Sequence, residues 1–146
     1  MNNSFVIRGN ICQTMNPKEL DLHENAFAVC VDGVSKGVFK VLPEEYTSLP
    51  LYDYADALIF PGMVDLHVHA PQYAFRGMCM DLELMDWLNQ YTFPEEEKYE
   101  NLEYAEKAYG MFVNALKNSA TTRACIFATR HRPATELLMK LMEESG

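Results

Sequence analysis

The chain has 146 residues, about half of them hydrophobic, and a formal net charge of −9. That composition can bury a core and excludes an intrinsically disordered chain. So acidic a surface repels phosphate backbones and anionic headgroups, which argues against nucleic-acid or membrane partners and leaves a small neutral or cationic molecule.

The four cysteines, Cys12, Cys30, Cys79 and Cys125, form no C-x-x-C pair, so neither a thiolate zinc site nor a redox motif is expected. Their wide spacing, with nine methionines, suits a reducing compartment. The N-terminus lacks a basic start and a signal-length apolar run, and no stretch reaches the length of a membrane span. The cytoplasm is the expected location.

In chain order, residues 4–14 predict a strand, with Gly9-Asn10 as a bend or bulge. Residues 26–31 predict a second strand and Val38–Leu42 a third, with Asp32-Gly33 and Lys36-Gly37 as turn signals; Pro43 to Pro50 is a polar link. The first 55 residues therefore form a small β-rich segment. From residue 56 the pattern changes. Leu58-Ile59-Phe60 leads through Pro61-Gly62 into Met63-Val64-Asp65-Leu66-His67-Val68-His69, a strand that Pro71 stops. Leu82–Tyr91 predicts a short helix. Residues 101–117 predict a longer one, with Leu102, Ala105, Tyr109, Phe112, Val113 and Leu116 along one stripe. Thr121–Ala128 predicts a strand. Residues 134–145 close with a helix whose apolar face is Leu137, Leu138, Leu141 and Met142.

Strand, helices, strand, helix is the order of a parallel sheet with crossovers. A closed eight-stranded barrel needs about 250 residues. The expected fold is therefore α/β: the start of a (β/α)8 TIM-type barrel, about two βα units over 56–146, preceded by a small β-sandwich segment over 1–55.

Alternation along a strand puts Asp65, His67 and His69 on one face and Val64, Leu66 and Val68 on the other. The apolar set suits outer helices, and the polar set suits a barrel interior. Ionisable groups on an inward face are costly unless something uses them. Two imidazoles at i and i+2 can reach one divalent ion. They lie at the C-terminal end of a strand, where barrel enzymes place their chemistry. An isolated H-x-H is more often an ordinary pair of strand-end histidines; the strand context and the Pro-Gly lead-in favour the metal. Asp65 is read as orienting a histidine rather than as a ligand.

Other candidates carry less. His23 reads as a solvated loop histidine. His131 follows the second barrel strand, at the same mouth or simply in a loop between Arg130 and Arg132. Glu95, Glu96 and Glu97 follow Pro94 as a helix N-terminus is often written, and read as surface charge complementing the helix dipole. Met78-Cys79-Met80 reads as core filling.

Residues Pro61 to Gly77, with the block His67-Val68-His69-Ala70-Pro71-Gln72-Tyr73, resemble the N-terminal metal motif of guanine deaminases of the amidohydrolase superfamily. The resemblance continues in Trp87–Glu95, with Tyr91-Thr92-Phe93-Pro94, and in Ala120–Thr129. It covers about residues 55–131. It implies hydrolysis of guanine to xanthine and ammonia, on a barrel with a small β-sandwich domain, in a homodimer. It makes His67 and His69 the first two Zn2+ ligands, and Gln72, with His69, the contact to the purine. A zinc ion would activate water near neutral pH. The other ligands and the proton-shuttling glutamate belong to later strands of the family, so no general acid or base is expected within this chain, which alone is expected to be inactive. Ala120, where glycine is common, and Arg130, in place of an apolar residue, depart from the family. A sibling aminohydrolase acting on another ring, or a non-catalytic truncated chain, would keep the same H-x-H motif.

Overall fold

The structure is a computed structural model that describes residues 3–146. The chain divides into two compact units, one up to Pro61 and one from Gly62 to Gly146. Among the described residues no helix is long and apolar enough to cross a membrane.

The first unit is a four-stranded sheet of β1 (Phe5–Asn16), β2 (Glu19–Val31), β3 (Val34–Phe39) and β4 (Leu51–Ile59), in the order β3-β2-β1-β4. β1–β2 and β2–β3 are antiparallel, while β1–β4 is parallel. The β2–β3 hairpin closes on Asp32-Gly33, both at positive φ (52° and 77°). A two-residue turn of that hand matches the twist of the flanking strands, and glycine adopts it without Cβ strain. The β1–β2 register shifts between Gly9 and Ile11, where the sequence places a bulge. Val6, Ile11, Ala26 and Val29 are buried in this unit. β4 is a strand that the sequence reading did not anticipate. Its Leu58 and Ile59, read as a lead-in to the next element, instead pair with Asn10 and Ile11. His23 lies on β2, paired with Ile11 and half-buried, rather than in a loop.

The second unit holds a two-stranded parallel sheet, β5 (Met63–His69) and β6 (Thr121–Phe127). Gly62 opens β5 because a Cβ there would collide with the Thr122 side chain. The connection from β5 to β6 runs through α1 (Leu84–Trp87), α2 (Phe93–Glu97) and α3 (Leu102–Lys117), and α4 (Arg132–Ser145) follows β6. Between α1 and α2 the backbone stays helical but widens to a π turn over Leu88–Thr92, just before Pro94. Proline lacks an N–H and its ring crowds the carbonyl four residues back, so a wider turn accommodates it. The predicted short helix thus runs on through Pro94 rather than ending at Tyr91. Asn101 caps α3, its side-chain oxygen accepting from the Glu103 and Tyr104 amides at 2.9 and 3.3 Å.

The core of this unit is built by Tyr99, Tyr109, Phe112 and Leu138 around small alanines, with Val68 and Ile126 packed against it from the sheet. Leu102, placed on the α3 stripe by its spacing, is half exposed in the first turn. The apolar face of β5 is covered only at Val68. Val64 and Leu66, expected to pack under helices, are exposed, Leu66 at 77%. Met78 and Met80 are also exposed and Cys79 sits at φ 55°, so that run turns the chain instead of filling the core.

Candidate metal centre

Strand alternation brings His67 and His69 together at the C-terminal end of β5. Their Nε2 atoms lie 3.1 Å apart. Two nitrogens held about 2.0–2.1 Å from one tetrahedral ion would be separated by roughly 3.0–3.4 Å, so the pair fits a shared metal without rearrangement. Asp65 stands two residues before. Its Oδ1 accepts the backbone N–H of His67 at 3.0 Å, so it fixes the strand at the histidine rather than holding an imidazole. Among the described residues no cluster of three or more His, Cys, Asp or Glu side chains is arranged to hold a metal.

The turn that carries Gln72 follows directly. Residues Ala70–Phe75 form a short tight helix in which Ala70, Pro71 and Phe75 are buried. Buried Tyr99 donates its hydroxyl to the Pro71 carbonyl at 3.1 Å and anchors the turn from below. The Arg76 guanidinium lies 3.9 Å over the Tyr73 ring and donates to the Tyr73 carbonyl, closing the turn from outside. Gln72, in this turn, is left half-buried.

The three glutamates after Pro94 do not behave alike, and the reading of them as surface charge fails for Glu95. Glu95 is 8% exposed, and its carboxylate accepts from Lys98 Nζ at 2.6 Å and from the Tyr104 hydroxyl. Burial, then the bond to Glu95, pushes the Tyr104 hydroxyl up to about 12. Glu96 is half-buried. Burial pushes its carboxyl up, while the nearby His69 and a hydrogen bond from Gln72 pull it back down. It therefore stands beside His69 and Gln72. Glu97 is the solvent-facing member, and it meets Arg130 at 2.7 Å. That contact gives Arg130 a role the sequence did not suggest: it joins the end of α2 to the loop after β6. His131 occupies the N-cap position of α4 without a side-chain bond to the helix, with its Nε2 buried and 4.0 Å from Glu97.

Phe127 was not among the predicted site residues. It ends β6 directly across from His69 in the parallel register. Its ring stacks on His69 at 4.8 Å and 14°, and lies 4.6 Å from His67. The available signal was its place at the C-terminal end of the neighbouring parallel strand. Only the pairing register shows that it shares the histidines' face.

The sequence model of the amidohydrolase family matches residues 58–146. Guanine deaminase from Rattus norvegicus is 44% identical over 86 residues, which are 59% of this chain and 19% of that protein. Guanine deaminase from Escherichia coli is 41% identical over 88 residues, 60% of this chain and 20% of that protein. The crystal structure of guanine deaminase from C. acetobutylicum with bound guanine in the active site superposes with a TM-score of 0.94 and 40% identity. That superposition covers 99% of this chain and 34% of the other. The chain thus spans about a fifth of the length of the two sequence relatives. With more than half of its residues inside the family match, the chain belongs to the amidohydrolase family.

Proposed function

We propose that the chain supplies the metal-holding strand and the purine-reading turn of a zinc-dependent guanine deaminase. The observation that carries this reading is the convergence of His67 and His69, Nε2 to Nε2 at 3.1 Å, with Gln72 in the turn that directly follows them. The similarity to guanine deaminases over the same residues supports guanine as the ring.

Two imidazoles suit zinc. When bound, the ion supplies Lewis-acid activation of water near neutral pH. The chain's own residues do the positioning. Asp65 holds the backbone at His67, and the buried Ala70-Pro71 turn fixes Gln72 relative to His69. The Gln72 amide offers both a donor and an acceptor, which a purine edge requires. In the net reaction water forms a C–O bond at the ring carbon that carries the amino group, the C–N bond breaks, and ammonia leaves with xanthine as product. Zinc sites normally have at least three protein ligands. The further ligands, and the group that protonates the leaving ammonia, are therefore assigned to residues outside this segment. In this reading β5, α3, β6 and α4 are the first two βα units of a (β/α)8 barrel, and residues 1–55 belong to a β-sandwich.

Zinc-loaded enzyme carrying this segment is expected to release xanthine and ammonia from guanine. His67→Ala or His69→Ala should abolish turnover and lower zinc content. Gln72→Ala should keep its zinc but raise KM for guanine about tenfold, the cost of one or two lost hydrogen bonds. Full turnover without either histidine would overturn the metal reading. A preference for a pterin, adenine or a triazine over guanine would overturn the substrate.

A further inference from the structure

Phe127 sets its ring against both histidines of the pair without belonging to the buried core. It is 44% exposed and lies outside the buried cluster beneath the sheet. Among the described residues its ring neighbours are the two imidazoles, at 4.8 Å and 14° to His69 and at 4.6 Å and 42° to His67. The parallel register sets Phe127 opposite His69, so the stack is built into the sheet. An exposed phenylalanine at a strand end contributes little to the core, and this one has its ring against the candidate ligands.

We propose that Phe127 is a positioning residue for the metal centre: a ring that holds His67 and His69 in their convergent geometry and tightens their grip on a divalent cation. The inference rests on the metal reading above. Two physical effects combine. A stacked imidazole gives up rotational freedom before the metal arrives, so less is lost on binding. An imidazole that donates its lone pair to a cation becomes electron-poor, and the face of a phenyl ring favours an electron-poor partner. Both effects act on affinity, and neither requires Phe127 to touch the metal or the substrate.

The test uses the whole chain, with Zn2+ as the probe and the histidine ring protons followed by NMR. In the zinc-free protein the ring signals of His67 and His69 should lie upfield of those of His23, displaced by the Phe127 ring current. Phe127→Leu should remove that displacement and weaken zinc binding at both histidines about three- to tenfold. Phe127→Tyr should restore both. The thermal midpoint of Phe127→Leu should stay near that of the parent, because no core contact is lost. An unchanged zinc affinity in Phe127→Leu, with zinc still felt at both histidines, would overturn this inference and leave the metal reading standing. Absence of the upfield displacement in the parent would overturn it without any variant, even if Phe127→Leu failed to fold. A parent in which neither histidine responds to zinc would overturn the metal reading and this inference together.

Discussion

A carboxyl group beside a histidine pair is a sensitive reporter of local environment, and Glu96 is that group here. Burial raises its pKa above the ordinary glutamate value of 4.5, against the opposing pull of His69 and Gln72. A raised pKa in the folded state means that folded protein binds the proton more tightly than unfolded protein does. Stability is therefore unpenalised below the ordinary value and is lost as pH rises from there through the folded pKa. Glu96→Gln should remove that loss. Urea unfolding of both proteins between about pH 4 and pH 7 should show the parent falling behind the variant as pH rises. A gap that stays constant across the range would mean that Glu96 is not desolvated. The residues around it divide the work sharply. Glu95 is a buried anchor for Tyr104, Glu96 faces the candidate site, and Glu97 ties α2 to Arg130. Three identical side chains in a row thus have three environments, because successive residues of a helix point about 100° apart.

At the scale of elements, the β5-to-β6 crossover sets the histidines by what it does beneath them. α3 carries Tyr109 and Phe112 into the core, against which Val68 and Ile126 pack. Fixing Val68 from one side fixes its neighbours His67 and His69 on the other, since alternate residues of a strand share a face. The start of α3 depends on one polar side chain, that of Asn101, which accepts from two backbone amides that would otherwise lack partners. Asn101→Ala should cost about 1 kcal/mol, read as a lower denaturant midpoint with an unchanged slope. Asn101→Asp should recover most of it, because the cap needs an acceptor oxygen and the helix dipole favours negative charge there. If Asn101→Ala were as stable as the parent, the cap would be ornamental and the end of α3 would be held by packing alone.

For the molecule as a whole, the exposed surface of the second unit is the informative feature. β5 and β6 make a two-stranded sheet, so each has one edge without a strand partner among the described residues. Val64 and Leu66 project from β5 into solvent, and Met63 precedes them. Unpaired edges beside exposed aliphatic side chains favour pairing with another chain. The 146-residue chain is expected to self-associate as its concentration rises, seen as an increasing mean mass in sedimentation. Leu66→Lys should shift that association to higher concentration, since a charge beside an open edge opposes pairing. A monomer at every concentration would show that these edges are already protected.

Much of this arrangement was legible in the residues themselves. Alternation along Met63–His69 determined that the two histidines share a face, because a strand has a period of two whatever surrounds it. Asp32-Gly33 determined a hairpin turn, because few dipeptides accept positive φ twice in succession. The helical stripes of α3 and α4 followed from the 3.6-residue period. Other features depended on neighbours distant in sequence. β4 is a strand because β1 offers it a parallel edge, and no local pattern in Leu51–Ile59 announced that partner. Leu66 is exposed although it is apolar, because the helices of this unit cover the apolar face of β5 only at Val68. Glu95 is buried although it is charged, because Lys98 and Tyr104 partner it. Phe127 meets the histidines through a pairing that spans more than fifty residues of sequence. Sequence determined which side chains could converge, since local periodicity is a property of the backbone. Tertiary structure alone decided what stands against them, since burial and stacking belong to whichever distant residue the fold brings alongside.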